Sequence, residues 1–288
     1  MKVVLFCGGE GLRLPNQPDV VPKPMITIGY RPILWHVMRF YAHWGLNDFV
    51  LCLGDKADAV KSYFLRYSEA LSNDFVLSDG GRKVELLSTD IQDWRITFVN
   101  TGLQANIGQR LLAARRYLRH ERVFCANYAD NMTDAPLPEL VADFESRGKV
   151  AAFLSVRPPY SFHVVQHSQD GLVDRITDVH GSDLWVNGGY FIFRQEIFDF
   201  IGEGEDLLAE PFRRLIEADE LITYRYSGFW TAMDTLKDLQ KLRSLHESGR
   251  PPWALWRTPQ ATGPSMGDPL GITAGPGDRP EPGRRSPR

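Results

Sequence analysis

A short apolar run that breaks into glycines near the start of the chain limits the fold more than any other stretch. Residues Val3–Cys7 are all apolar and have the length of one buried strand. Gly8, Gly9 and Gly11 follow it, and without a Cβ they let backbone N–H groups come close to a ligand. Such N–H groups form concave sites for anions. The pattern indicates an α/β protein with an anion-binding loop after its first strand.

Two cations follow this loop. Arg13 can hold a phosphate with its planar guanidinium, and Lys23 supplies a compact charge. Lys23 lies between Pro22 and Pro24, and the proline after it favours an extended conformation. The stretch is neither a Walker A loop nor a full dinucleotide-binding pattern. From these residues alone, a glycine-rich turn beside two solvated cations remains an alternative.

Strand and helix patterns then alternate along the chain. Asp48–Leu53 and Arg95–Asn100 are typical of buried strands, while residues 32–45 and 55–71 have helical spacing. This alternation predicts a parallel α/β layout with right-handed connections. Ser72–Trp94 breaks the rhythm, and its turn residues predict a β-hairpin inserted on one edge of the sheet.

Composition excludes several classes of function. The chain has 288 residues, is 43% hydrophobic and carries a formal net charge of −3, which does not favour a nucleic-acid or anionic-membrane partner. No apolar run has the length of a membrane-spanning helix. The three scattered cysteines are expected to be buried free thiols of a reducing, cytoplasmic compartment. We therefore expect a cytoplasmic enzyme or binding protein.

The last segment differs from the rest. Residues 258–288 are rich in proline and glycine and almost lack bulky apolar side chains. Such a segment cannot bury enough surface to offset its ordering entropy. We predict one folded domain over residues 1–257 and a disordered tail over residues 258–288.

Two aspartates stand out as metal ligands. Asp130 follows an apolar run, at the place where open α/β sheets bind ligands, and a carboxylate there suits Mg²⁺. It could instead cap a turn. Asp234 directly precedes a predicted helix at Thr235–Glu247, so it could equally be the helix N-cap.

Several motifs together resemble those of one family. The segments are GGEGLRL at residues 8–14, PKPM at 22–25, WVNGGY at 185–190 and GFWTAMDTLKD at 228–238. They resemble the sugar-nucleotide pyrophosphorylases (nucleotidyltransferases), and among these the glucose-1-phosphate cytidylyltransferases. The resemblance extends from residue 1 to about residue 256. It implies a Rossmann-like nucleotidyltransferase fold, with a mixed, mostly parallel sheet flanked by helices and a β-hairpin insertion.

The resemblance also implies substrates and roles. CTP and a sugar 1-phosphate would give a CDP-sugar and pyrophosphate, with Mg²⁺ as cofactor, in a homo-oligomer. Arg13 and Lys23 would be catalytic. The residues are assigned as follows: Gly8, Gly9, Gly11, Arg13, Lys23 and Arg110 to the nucleotide, Asn187, Gly188 and Glu210 to the sugar, Asp130 and Asp234 to the metal.

Some of these positions have simpler interpretations. Arg110 could be a solvated helix arginine. Gly188 could mark a β-bulge, and Glu210 could be a charge in the first turn of a helix. These alternatives remain open at the level of the sequence.

Three departures from the family pattern affect the interpretation. Leu12 replaces a threonine, and Asn131 replaces the glycine after the first aspartate. Residues 176–182 contain no lysine or arginine where the family has a lysine for the sugar phosphate, and His180 there is mostly neutral at pH 7. We expect glucose 1-phosphate to be a poor acceptor. A non-catalytic sugar-nucleotide-binding homologue, a glycosyltransferase of similar fold, or a different nucleotide or acceptor are the alternatives.

Overall fold

The computed structural model describes residues 1–8, 21–159 and 162–257, with the backbone alone at His180. Gly9, Gly11, Leu12, Arg13 and the segment 258–288 therefore lie outside the described residues. The described strands are β1 (Val3–Phe6), β2 (Thr27–Ile28), β3 (Arg31–Pro32), β4 (Asp48–Leu53), β5 (Phe75–Ser78), β6 (Lys83–Leu86), β7 (Arg95–Asn100), β8 (Val123–Asn127), β9 (Asn131–Thr133), β10 (Ala151–Val156), β11 (His163–His167), β12 (Val173–Asp178), β13 (Val186–Arg194), β14 (Leu221–Tyr226) and β15 (Trp230–Ala232).

Seven strands form the central sheet in the order β14-β10-β13-β8-β1-β4-β7. All neighbouring pairs are parallel except those of β13, which runs antiparallel to both β10 and β8. The predicted mixed, mostly parallel sheet is thus confirmed. Its carboxyl edge collects the loops after six strands together with the first residues of β13.

Helices cover both faces of this sheet. They are α1 (Ile33–His43), α2 (Ala57–Leu65), α3 (Glu69–Ser72), α4 (Ile107–Ala114), α5 (Leu137–Arg147), α6 (Glu210–Glu217) and α7 (Leu236–Glu247). Alternate residues of β1 enter two different clusters, Val3 and Leu5 on one face, Val4 and Phe6 on the other. Burial on both faces explains why the strands read as continuous apolar runs rather than alternating ones.

The predicted insertion is a hairpin, but it does not extend the central sheet. β5 and β6 pair only with each other, and all eight of their residues are exposed. β11 and β12 form a second separate hairpin. The helix expected over residues 55–71 is divided into α2 and α3, with Ser68 capping α3 through the Leu71 N–H.

Two further observations concern the cysteines and the helices. Cys7, Cys52 and Cys125 are buried free thiols, as expected. Among the described residues, no helix is both long enough and apolar enough to cross a membrane.

Candidate active site

The carboxyl edge of the sheet brings most of the candidate residues to one side of the molecule. Gly8 follows β1, Asp130 follows β8, and Asn187 is the second residue of the antiparallel β13. The order of these strands in the sheet is β13, β8, β1, so the three residues lie in neighbouring positions along this edge. Open α/β sheets bind ligands at this edge.

A pair of short strands brings the two aspartates together. β15 pairs antiparallel with β9, with Ala232 opposite Asn131. The Met233 N–H donates to the Asp130 carbonyl at 3.1 Å, which continues the pairing to the aspartates. Asp130 and Asp234 therefore meet although they are far apart in the sequence.

Asp234 is not the cap of the following helix. Thr235 is the N-cap of α7, and Thr235 and Asp238 form a reciprocal capping box. The Asp238 carboxylate also accepts from the Asp234 N–H at 3.2 Å. The helix start thus fixes the backbone of Asp234 and leaves its carboxylate for another partner.

That partner is Lys23. Its Nζ donates to Asp234 Oδ1 at 2.8 Å and lies 3.9 Å from Asp130 Oδ2. Lys23 begins a 3-10 turn, Lys23–Met25, closed by a bond from the Ile26 N–H to the Lys23 carbonyl at 3.1 Å. The expectation of an extended Lys23 was wrong. The hydrogen bond of this turn and the burial of Pro24 stabilise the turn by more than the steric preference of the residue before a proline disfavours it. Pro22 itself is extended.

The electrostatics of this trio depend on burial. Burial raises the pKa of the Asp130 carboxyl to about 7; Lys23 opposes this shift and Asp234 adds to it. Burial also disfavours the Lys23 ammonium, but its hydrogen bond to Asp234 and the charge of Asp130 outweigh that effect and raise its pKa. The site therefore holds two carboxylates around one cation, an arrangement that accepts further positive charge.

The donor set fits a magnesium ion. Mg²⁺ is bound in proteins by one or two carboxylates, with waters and substrate phosphates completing its coordination. Asp130 and Asp234 would supply two such carboxylates to one magnesium ion, and both now face the Lys23 ammonium. No group of three or more histidine, cysteine or acidic side chains suited to a metal occurs in the described part of the chain. A metal here would therefore depend on these two carboxylates and on the substrate.

Arg110 is buried rather than solvated, so the simpler interpretation of this residue was wrong. Its Nη1 donates to Thr101 Oγ1 at 2.6 Å, and its Nη2 donates to the Gly8 carbonyl at 2.9 Å. Asn106 caps α4 and so fixes the helix that carries it. A Cβ at Gly8 would lie 2.1 Å from the guanidinium, so any larger residue there would displace Arg110 from its present hydrogen bonds.

In the described part of the chain, no acidic side chain neutralises the charge of Arg110. Among the described residues no carboxylate lies within 4.0 Å of it, and burial lowers the pKa of its guanidinium. A buried cation held only by neutral oxygens can accept an anion with little rearrangement.

These residues share one cleft of about 350 Å³. Its charged and polar lining includes Lys23, Arg110, Tyr128, Asp130 and Asp206, and Gly8 lies at its base. The predicted phosphate-binding residues Gly9, Gly11 and Arg13 fall outside the described residues. The cleft therefore combines two cations with Asp130 at the ligand edge of the sheet, and Asp234 lies beside it through its ion pair with Lys23.

Of the three residues assigned to the sugar, only Asn187 has a hydrogen bond to a described residue of this cleft's lining. Asn187 donates from Nδ2 to the Tyr128 hydroxyl at 3.2 Å, which connects it to the cleft lining. The Gly188 carbonyl already accepts from Trp230 Nε1 at 2.8 Å and from Asn131 Nδ2 at 3.1 Å. The register between β10 and β13 shifts here, so Gly188 does lie in a bulge. That finding leaves a role in sugar binding open.

Glu210 is exposed at the first position of α6. In the described part of the chain, no hydrogen bond or ion pair connects it with the other candidate residues. Its position agrees with the simpler interpretation, an acidic side chain in the first turn of a helix. The contact of Glu210 with a sugar stays a prediction.

Sequence reasoning missed two arginines at the same edge. Arg157 follows β10, donates to the Ser182 and Leu184 carbonyls, and lies 4.3 Å from the centre of the Trp185 ring. Arg225 lies 5.5 Å from the same ring. Arg157 thus places a guanidinium against the segment that was noted for lacking a cation. Only the order of the strands could have revealed this, because Arg157 is distant from that segment in sequence.

Comparisons with known proteins agree with this geometry. The model of the Nucleotidyl transferase family matches residues 2–248. The chain is 33% identical to the probable glucose-1-phosphate cytidylyltransferase of Bacillus subtilis (strain 168), over 89% of this chain and 100% of that protein. It is also 33% identical, with the same coverage, to the glucose-1-phosphate cytidylyltransferase of Salmonella typhi.

Solved structures share the fold at low sequence identity. A UDP-glucose pyrophosphorylase complexed with UDP-glucose has a TM-score of 0.62 at 14% identity, over 86% of this chain and 99% of that one. A putative glucose-1-phosphate thymidylyltransferase from Bacillus anthracis has a TM-score of 0.59 at 16% identity, over 85% and 94%. These likenesses establish the Rossmann-like fold.

Proposed function

The chain belongs to the nucleotidyl transferase family, and on that premise we propose that it joins CTP to a sugar 1-phosphate and releases pyrophosphate. The coarser function, a sugar-1-phosphate nucleotidyltransferase, agrees with the family and with relatives matched over their whole length. The preference for CTP is supported by the names of those relatives. Mannose-1-phosphate guanyltransferases also match, at 24% identity for that of Gibberella zeae, so the nucleotide is the finer part of the proposal.

One observation carries the proposal: Lys23 lies between Asp130 and Asp234 beside a cleft that also contains Arg110, which has no acidic partner among the described residues. Such a cleft suits a polyphosphate, because its cations need anions and its carboxylates need a cation. A nucleoside triphosphate with its magnesium ion provides both.

The reaction needs no protein nucleophile. An oxygen of the sugar phosphate attacks the α-phosphorus of CTP, a new P–O bond forms, and the bond to the pyrophosphate leaving group breaks. Catalysis then consists of positioning and charge neutralisation. Lys23 stabilises negative charge developing near the α-phosphate, and Arg110 contacts the phosphates beside Gly8.

The metal would be held by Asp130 and Asp234. When bound, Mg²⁺ supplies positive charge to the phosphate oxygens. Burial of Asp130 favours this role, since a carboxylate removed from water is stabilised by a nearby cation.

For the acceptor, Arg157 is the best candidate for the missing cation. Its guanidinium donates to the Ser182 carbonyl, lies over the Trp185 ring and forms a long ion pair of 3.7 Å with the exposed Asp183, a partner that a phosphate could replace. It lies one strand from Asn187 across the sheet, because β10 pairs with β13. This arrangement supports a sugar phosphate bound between the aspartates and Arg157.

The first experiment measures pyrophosphate release from each of the four ribonucleoside triphosphates with a panel of sugar 1-phosphates. CTP should give the highest kcat/KM with at least one acceptor. A tenfold preference for another nucleotide would overturn the CTP assignment. Absence of pyrophosphate with every pair would favour a non-catalytic homologue or a glycosyltransferase.

The second experiment tests Arg157 with the best acceptor. Arg157→Ala should raise KM for the sugar 1-phosphate about tenfold to a hundredfold, the effect of losing one charge-assisted hydrogen bond. KM for CTP should stay within about twofold, and Arg157→Lys should recover part of the loss. Arg147→Ala, which removes a surface arginine of α5, is the matched control. Equal effects on both KM values would show that Arg157 only supports the loop.

A further inference from the structure

A second cleft lies away from the active site. It has a volume of about 650 Å³ and lies between the start of α1, the segments 71–73 and 88–90, and the last described residues. Among the described residues, none lines both this cleft and the active-site cleft. We call it the arginine cleft, after Arg31, Arg39 and Arg257 in its lining.

The three arginines differ in how they are paired. Arg31 donates to Asp90 Oδ2 at 2.8 Å, and this carboxylate is the one acidic group in the described lining. Arg39 donates to the Asp90 carbonyl at 3.1 Å, but its Nε is buried and has no hydrogen-bond partner in the described structure. Arg257 contacts His246 at 3.4 Å.

Arg39 and Arg257 consequently carry charge that no acidic side chain of the described residues balances. Within the described residues, neither has a carboxylate within 4.0 Å. Asp90 is paired with Arg31, so the other two guanidiniums of the cavity are matched by an anion with two charged groups, since each can hold a phosphate with parallel hydrogen bonds.

Aromatic rings form the other part of the lining. Trp35 and Trp256 meet edge to face with ring centres 5.7 Å apart. Tyr30 is 95% exposed at the rim, although large aromatic side chains are usually covered. Such rings favour a flat, ring-containing ligand, and Ser72 and Thr89 in the lining offer hydroxyls.

We propose that the arginine cleft is a second ligand site that takes a nucleoside diphosphate group. The two unbalanced guanidiniums hold the diphosphate, and the indoles contact the base. The volume lies within the 300 to 1,000 Å³ range, roughly, of small-molecule sites. A free nucleoside diphosphate and a nucleotide sugar share this chemistry. The inference rests on the cleft and does not depend on the function proposed for the first site.

The test counts binding sites on the full chain by isothermal titration calorimetry, with CDP, CDP-glucose and inorganic pyrophosphate as separate probes. CDP should occupy two sites per chain. In the double variant Arg39→Gln/Arg257→Gln one of these sites should weaken about tenfold to a hundredfold for each guanidinium lost. Arg95→Gln, an arginine 80% exposed on β7, is the control and should bind as the natural chain does.

The outcomes separate the parts of the proposal. One CDP per chain, or a second site unchanged in the double variant, overturns it. If pyrophosphate binds the second site as tightly as CDP does, the aromatic rings contribute nothing to binding. The proposal that this site recognises a nucleoside is then refuted. Tighter binding of CDP-glucose than of CDP identifies a nucleotide sugar as the ligand, and the reverse identifies the free diphosphate. If the Arg39→Gln change impairs folding, the single variant Arg257→Glu replaces it, because Arg257 is exposed. Its new carboxylate should repel the diphosphate and weaken binding at the second site.

Discussion

Replacing each metal-site aspartate by its neutral amide tests the central assignment. In Asp234→Asn the ligand loses its charge but keeps its size, and the Lys23 ammonium loses the oxygen at 2.8 Å. The interaction of the carboxylate with the metal in the bound complex should be worth at least a charge-assisted hydrogen bond, about 1.5–3 kcal/mol, which corresponds to about tenfold to over a hundredfold in kcat/KM. If Asp130→Asn also removes a ligand, its effect on turnover should be at least as large, because Asp130 is the more buried of the two.

Stability should respond differently from activity. The Asp234 side chain is 51% exposed, and exposed ion pairs contribute about 0.2–1 kcal/mol, so its loss should lower Tm only slightly. Burial raises the pKa of Asp130 from 3.8 to about 7, so the unfolded state loses this proton first as pH rises, and the folded state loses stability between about pH 4 and pH 7. Asp130→Asn removes this cost and should leave Tm unchanged or higher in the absence of magnesium and nucleotide.

The assay is pyrophosphate release at limiting magnesium, with thermal unfolding of the same preparations. Asp143→Asn is the matched control, because it breaks the exposed pair of Asp143 with Arg147 at 3.0 Å on α5. It should change neither kcat/KM nor Tm appreciably. If both active-site variants retain turnover within about threefold of the natural chain at limiting magnesium, the metal assignment is wrong.

Three other predictions follow from the described contacts and the sequence. Gly8→Ala should destabilise the fold by about 1–3 kcal/mol and raise KM for CTP, because the new Cβ would lie 2.1 Å from the Arg110 guanidinium; denaturant unfolding and kinetics measure both effects, and an unchanged KM would contradict the role of Arg110. Burial lowers the pKa of His36 from 6.5 to about 4. As pH falls, the unfolded state therefore binds this proton before the folded state does. The free energy of unfolding should fall by up to about 3 kcal/mol between pH 6.5 and pH 4 because of this residue. Unfolding titrations should show a flatter pH slope for His36→Gln, and an identical slope would exclude His36 as the cause. Deleting residues 258–288 should leave turnover and Tm nearly unchanged, and a clear loss of either would show that this segment contributes to the fold.

The sequence determined which segments form the sheet and where its loops lie. Asp48–Leu53 and Arg95–Asn100 were predicted with the bounds that the structure has. Burial on both faces leaves a strong apolar signal that a local pattern can detect. The glycines after β1 and the motifs around the two aspartates were likewise enough to indicate a phosphate-handling site.

The tertiary structure decided which of those residues meet. β9 and β15 have three residues each, too few for any periodicity to reveal, yet their pairing brings Asp130 to Asp234. The buried position of Arg110 and the place of Arg157 beside the 182–184 segment depend on strand order, which a local pattern does not contain. A segment's own residues encode how much of it is buried, whereas its partners come from distant parts of the chain. For this reason the sequence named the site residues, and only the folded chain could show their geometry.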